Sequence, residues 1–355
     1  MAMSSSAESS VADARDGRPA TERPSLAVVA CIEAGELEPK TIRMVESLRL
    51  FGGRFADVDV VAVTPRLGPP LARATGRRLA ELGVRHVRMR PRTNYVWHHY
   101  MNKAQAVMAA EEDLGSEQLL WIDSDIIFLR EPNALELEPD VDFAASAPDT
   151  GLIGSHGDDD PHDAFWARCA RLIGRDVDEL PWLTTGDGHR IRFYWNAGLY
   201  VYRRDTGFGR EFVADFERAM VQGVARSHAQ VHGMDQVILG LTVLRLGLDW
   251  RAIPDTSNFP VLSFLPENFD PEKVRPVDVL HYHDSMSPQL WSALLETLEE
   301  PHPSVHDWLA RLGPIDDPAS RAARLAREAL RVKRGVDRRW YYARNGFTKA
   351  TAPAR

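Results

Sequence analysis

Apolar residues along this chain come first in short unbroken blocks and then at helical spacing, and the two patterns alternate. Ser25–Ile32 (SLAVVACI) is a continuous β-rich run, read as a strand buried on both faces. Pro39–Phe51 follows with Ile42, Val45 and Leu48 near a 3.6-residue period, and Gly52-Gly53 stops it. The alternation continues through strand Val58–Val63, helix Leu71–Leu82, strand Val84–Met89, helix Trp97–Asp113 and strand Gln118–Ile122. Strands separated by helices predict βαβ crossovers and an α/β fold with a mainly parallel central sheet flanked by helices.

Beyond Asp125 the rhythm loosens. Ile126–Leu129 and Val141–Ser146 read as short strands, Gly151–Pro161 as a loop, and Pro161–Ile173 as a helix. Phe193–Tyr202 reads as a strand, Phe208–Gln222 and Met234–Leu246 as helices, Val277–His281 as a last strand, and Pro288–Leu298 and Val305–Leu312 as short helices. The expected organisation is one catalytic domain over 25–315, with a nucleotide-binding half at 25–130 and an acceptor-binding half at 131–315. Residues 1–24 have no apolar stretch and read as a disordered segment, not a signal peptide. Residues 316–355 read as a basic helical tail.

Composition narrows the function classes. The chain has 355 residues, 44% hydrophobic and 26% charged, enough for a sizeable core. Two cysteines, Cys31 and Cys169, make no disulfide framework. A net charge of −8 argues against a nucleic-acid partner. The charge is uneven: from Ser320 to Arg355 there are eleven Lys/Arg against two acids, so the rest of the chain is strongly acidic. No apolar run reaches the roughly 18 residues of a membrane span, so a cytoplasmic location is expected. Only five of the 43 basic residues are lysine, a bias that points to a GC-rich bacterial genome.

The chemistry collects at strand ends. Leu119-Leu120-Trp121-Ile122 runs straight into Asp123-Ser124-Asp125. Burying two unpaired carboxylates costs several kcal/mol, so a cation is expected beside them. Aspartates two apart in an extended segment point the same way and can share one hard divalent ion. The carboxyl end of a strand in an open α/β sheet is where ligands bind. Trp195-Asn196-Ala197-Gly198 places small residues before a strand, where backbone can approach a ligand, and Asn196 offers both a donor and an acceptor. Asp235-Gln236 opens the apolar helix. There Asp235 is either an N-cap or a carboxylate offered, with the Gln236 amide, to sugar hydroxyls. His281-Tyr282-His283 ends the last strand, and either histidine suits an Mn²⁺-like ion beside carboxylates.

These four elements, in this order over about Ser25 to Asp284, resemble the GT-A glycosyltransferases, most closely glycosyltransferase family 8 and its relatives. The resemblance implies a Rossmann-like nucleotide-diphospho-sugar transferase that uses Mn²⁺ or Mg²⁺. By position, Asp123, Asp125 and His281 match its metal ligands. Lys103, Asp123, Ser124, Asp125, Asn196, Ala197, Gly198, Asp235 and Gln236 match the donor surroundings, with Gln236, Asp235 and Asn196 as the catalytic candidates. The resemblance implies hexose transfer, with a UDP-sugar expected, to an acceptor that no residue specifies, and with retention at the anomeric carbon. The glycine and lysine that usually follow the final histidine are replaced by His283, Asp284 and Ser285, so the leaving-group contacts must come from His283 or an arginine elsewhere.

Two other readings compete. A nucleotidyltransferase has a similar sheet and metal, but the loop after its first strand is glycine-rich and basic; here it is Glu33-Ala34-Gly35-Glu36. The other is a non-catalytic nucleotide-sugar binder. Acceptor contacts are expected from Thr93–Tyr100, Gly151–Pro161, Trp182–Arg192 and Asp255–Phe264, with Tyr95, Trp97, Trp182, Tyr194 and Trp195 as stacking candidates against a core role. Asp158-Asp159-Asp160 reads as a solvated loop, and His98-His99 as helix neighbours on different faces. In the tail, Arg321, Arg324, Arg327, Arg331, Arg334 and Arg338 recur at helical spacing, with Trp340, Tyr341 and Tyr342 after them. Such a helix either lies on an anionic membrane surface or leans on the acidic body.

Overall fold

A computed structural model describes residues 25–151 and 153–347; the expected disordered segment at 1–24 lies outside them. The chain runs β1 (Leu26–Cys31), α1 (Leu37–Phe51), β2 (Asp59–Thr64), α2 (Arg73–Glu81), β3 (Val84–Arg88), α3 (Met101–Asp113), β4 (Gln118–Ile122), β5 (Ile126–Phe128) and β6 (Phe143–Ser146). It continues with α4 (Asp163–Leu172), β7 (Trp182–Thr184), β8 (Arg190–Arg192), β9 (Leu199–Arg203), α5 (Phe208–Gln222), α6 (His228–His232), α7 (Met234–Leu246) and β10 (Trp250–Ile253). Last come β11 (Phe259–Pro260), α8 (Pro271–Val274), β12 (Val279–His281), α9 (Trp291–Glu299), α10 (Pro303–Leu312) and α11 (Arg321–Arg344).

Seven strands form the central sheet in the order β10-β6-β9-β4-β1-β2-β3. Only β9 runs against its neighbours, β4 and β6; every other pairing is parallel. This is the mainly parallel α/β sheet that the hydrophobic rhythm predicts. Side-chain alternation divides the strands between two cores. Ala27, Val29, Val61, Val63, Leu119 and Trp121 pack on the side of α3, α5 and α7. Val28, Ala30, Val60, Ala62, Leu120 and Ile122 pack on the side of α1. Burial on both faces is why these strands are unbroken apolar runs. A third cluster lies under the small sheet β11-β12-β5, where Ile127, Leu280 and Tyr282 meet Leu294, Leu298 and Trp308.

Three local expectations are corrected. The strand read over Phe193–Tyr202 begins only at Leu199, because Asn196 Oδ1 accepts from Gly198 N (2.8 Å) and turns the backbone. The helix read over Trp97–Asp113 begins at Met101. Residues 97–100 form turns instead (His98 N to Tyr95 O, 2.8 Å), so His98 and His99 are not helix neighbours. Trp182–Thr184 and Arg190–Arg192 form an antiparallel hairpin rather than irregular chain. No described helix is long and apolar enough to cross a membrane.

Candidate functional site

The site lies at the carboxyl end of β4. Strand parity decides what happens there: Asp123 shares the face of Leu119 and Trp121, so it points toward α3 and α7. Trp121 Nε1 donates to Asp123 Oδ1 (3.0 Å) and Lys103 Nζ to Asp123 Oδ2 (2.7 Å). Lys103, on α3, also donates to the Ala197 carbonyl (3.2 Å) and lies 3.1 Å from Asp235 Oδ2. One ammonium thus compensates two buried carboxylates. Burial works against its charge, but Asp123 and Asp235 hold its pKa above the usual lysine value. Burial pushes the Asp123 carboxyl up, against the pull of Lys103.

Asp125 belongs to a second group. β5 pairs antiparallel with β12 so that Ile126 faces His281, and Tyr282 N donates to the Asp125 carbonyl (2.9 Å). That register brings Asp125 Oδ1 to 3.4 Å from His281 Nε2. The His283 ring stacks on His281 with centroids 3.7 Å apart, although β12 ends at His281 and His283 has φ +48°. One potential ligand atom from each of Asp125, His281 and His283 lies within 4.8 Å of the others. His281 Nδ1 and His283 Nε2 are buried without a hydrogen-bond partner. Burial opposes charge on Asp125 and His281 alike, but each favours the other's ionised form: the Asp125 pKa is lowered and that of His281 raised. Burial and then the His281 charge push His283 down to about 3. A carboxylate with two imidazoles, one imidazole nitrogen on each ring unsatisfied, fits a first-row divalent ion.

Both groups open into one cavity of about 290 Å³, also lined by Asn196, Ala197, Gly198, Asp235 and Gln236. Gly198 is there for space: a Cβ on it would sit 2.5 Å from His281 Cε1 and 2.9 Å from Nδ1. Asp235 lies in the first turn of α7 and is not its cap, which is Gly233; its Oδ1 is buried and unpartnered. Ser124 does not line the cavity; its carbonyl accepts from the Tyr282 hydroxyl (3.4 Å).

Asp149, Tyr100 and His232 also line this cavity and were not singled out in the sequence. Asn196 Nδ2 donates to Asp149 Oδ2 (3.4 Å), and burial pushes the Asp149 carboxyl up to about 6. The Tyr100 hydroxyl lies 3.1 Å from His232 Nδ1. Asp149 and Tyr100 come from turns and His232 from the end of the five-residue helix α6, too short to show a period, so no pattern marked them. Of the stacking candidates only Tyr194 lines the cavity. Trp195 is buried against Phe193 and Trp250, Trp97 and Tyr95 pack on Tyr341, and Trp182 stacks under Arg190 and Arg192. Asp160 accepts from the His156 and His162 amides in a half-exposed turn, as expected of a solvated loop.

The sequence matches the Rhodobacterales glycosyltransferase domain over residues 28–247. Among solved structures, mouse xyloside xylosyltransferase 1 in its apo form superposes with a TM-score of 0.40 at 11% identity, over 73% of this chain and 96% of that one. The apo bifunctional glycosyltransferase WbbM superposes with a TM-score of 0.42 at 10% identity over 80% of this chain, which spans about half of WbbM (51%). No curated protein sequence matches.

Proposed function

Because this chain belongs to the Rhodobacterales glycosyltransferase domain family, we propose that it moves a hexose from a nucleotide-diphospho-sugar, UDP-linked by preference, to an acceptor hydroxyl. One observation carries the reading: Asp125, His281 and His283 converge within 4.8 Å in a cavity at the carboxyl end of the central strand. These three would hold a divalent ion, with Mn²⁺ or Mg²⁺ expected from the family resemblance. Each Asp123 oxygen accepts one hydrogen bond and keeps a further lone pair. When bound, the ion neutralises the charge that develops on the departing diphosphate.

The chain's own groups do the rest. Lys103 adds a fixed cation beside Asp123. Gln236 and Asp235 enter the cavity from the first turn of α7, and Asn196 from the opposite wall. They hold the hexose hydroxyls, and Gln236 screens the oxocarbenium-like carbon from water. The acceptor attacks from the face that the diphosphate leaves, and the leaving phosphate takes its proton, so the anomeric configuration is retained. A screen of UDP-, GDP- and TDP-hexoses with Mn²⁺, read by mass spectrometry, tests the transfer. NMR of the product anomer tests retention, and an inverted product overturns the same-face route. Metal-dependent turnover of a nucleoside triphosphate, with no sugar transfer, would favour nucleotidyl transfer instead.

A further inference from the structure

The helix α11 lies wholly beyond the family match at 28–247. It nevertheless walls a second cavity, of about 640 Å³, at the carboxyl ends of β1 and β2. Glu33, Thr64, Arg66 and His99 line the body side, and Arg324, Arg327, Arg331, Arg334 and Arg338 line the helix side at one-turn intervals. The helix is fastened at both ends of this span. Arg327 pairs with Asp317 and donates to the Ala34 carbonyl (3.1 Å); Arg334 donates to the Leu67 carbonyl (2.6 Å). Tyr341 is buried with its ring 5.2 Å from that of Trp97.

Four carboxylates, Glu33, Glu36, Asp317 and Glu328, line this cavity against six arginines, so its charge is not fully balanced from within. Glu33 is already taken by Arg66 in a bidentate pair (2.6 and 2.8 Å). Arg331 reaches only Glu328, on its own helix (3.4 Å). The side chains of Arg324 and Arg338 make no hydrogen bond and no ion pair within 4 Å among the described residues, although the Arg324 charge is felt by Asp317. Meanwhile Leu325, Val332, Val336 and Trp340 are exposed, Trp340 by 74%. Arg327 and Arg334 are half-buried against the domain, Arg324, Arg331 and Arg338 stand exposed at the open side of the cavity, and apolar residues also face solvent, which departs from the usual amphipathic order. Such an arrangement is favourable when the arginine face meets a polyanion, which guanidinium groups grip bidentately. The cavity also adjoins the carboxylate–histidine site. His99 lines one and Tyr100 the other, and their ring centroids are 4.0 Å apart.

We propose that α11 is part of the donor site: Arg324, Arg331 and Arg338 grip the nucleoside-side phosphate of a nucleoside diphosphate across the ends of β1 and β2, while the sugar-side phosphate and the sugar lie beyond the His99–Tyr100 partition, at the carboxylate–histidine group. The inference rests on the glycosyltransferase reading above. It supplies from the C-terminal helix the cation missing after His281, and it makes residues beyond 320 a binding element rather than a membrane tail.

Calorimetry on the full chain tests it, with UDP, GDP, CDP, uridine and pyrophosphate, each in EDTA and in Mn²⁺. The wild type binds a diphosphate in EDTA more tightly than uridine. R324E/R338E weakens that binding at least about tenfold with an unchanged circular dichroism spectrum, and the single R324Q gives a smaller loss in the same direction. Equal diphosphate affinity in wild type and R324E/R338E overturns the role of α11 and leaves the donor reading standing. If R324E/R338E loses binding to phosphatidylglycerol vesicles but keeps its diphosphate affinity, the arginines serve a membrane and the proposal is also overturned. If no nucleoside diphosphate binds the wild type even in Mn²⁺, the donor reading falls, and this proposal with it.

Discussion

His281 and His283 stack their imidazoles 3.7 Å apart and 18° from parallel, with Asp125 3.4 Å from His281. The sequence left open which histidine would act; the geometry brings both to one carboxylate. Thermal unfolding of the wild type is therefore expected to shift upward with added Mn²⁺, and H283A, H281A and D125N each to lose most of that shift. H283A with the full Mn²⁺ response would return the ligand set to Asp123, Asp125 and His281.

The open space at Gly198 is needed by the His281 ring, which a Cβ would meet at 2.5 Å. G198A is expected to displace the imidazole and weaken apparent Mn²⁺ affinity about tenfold or more, as loss of a supporting contact does. The unfolding midpoint without metal should move only slightly. A Mn²⁺ titration followed by thermal shift reads both.

Lys103 stands between Asp123 (2.7 Å) and Asp235 (3.1 Å). K103M leaves both carboxylates buried without their cation and is expected to cost about 3–5 kcal/mol. The double variant K103M/D235N should recover part of the loss. Urea unfolding of the wild type, K103M, D235N and the double variant measures it, and additive effects would show that the groups are not coupled.

Asp149 has its carboxyl pushed up by burial to about 6, against about 3.9 in an unfolded chain. Between those values the native state holds a proton that the unfolded state has lost, so its contribution to stability falls as pH rises from about 4 to 6. D149N removes the ionisation. Its unfolding midpoint in EDTA should exceed the wild type's at pH 7.5, and the gap should close below pH 4. A gap that does not vary with pH would assign the effect to packing.

How much was legible in the sequence follows from which residues are buried on both sides. β1, β2 and β4 are covered by helices on each face, so Val28, Val61 and Leu120 belong to unbroken apolar runs with clear ends. Asp123 and Asp125 could be placed because they follow such an end. The β7–β8 hairpin spans three residues per strand, too few to show a period. Asn196 bends its own backbone through a side-chain bond that no hydrophobic pattern encodes. Asp149 arrives from a connection and His232 from the end of the short α6, and only the folded chain brings them to the cavity. The charge run on α11 was visible, but not that its arginines face a cavity of the same chain.

The left-handed backbone of His283, φ +48°, sets fold against function at one position. Glycine would sit there with less strain, so backbone strain alone favours H283G. Such a chain would relieve the backbone but lose the ring stacked on His281, and with it one imidazole of the proposed ion site. Backbone ease and catalysis would pull this residue in opposite directions.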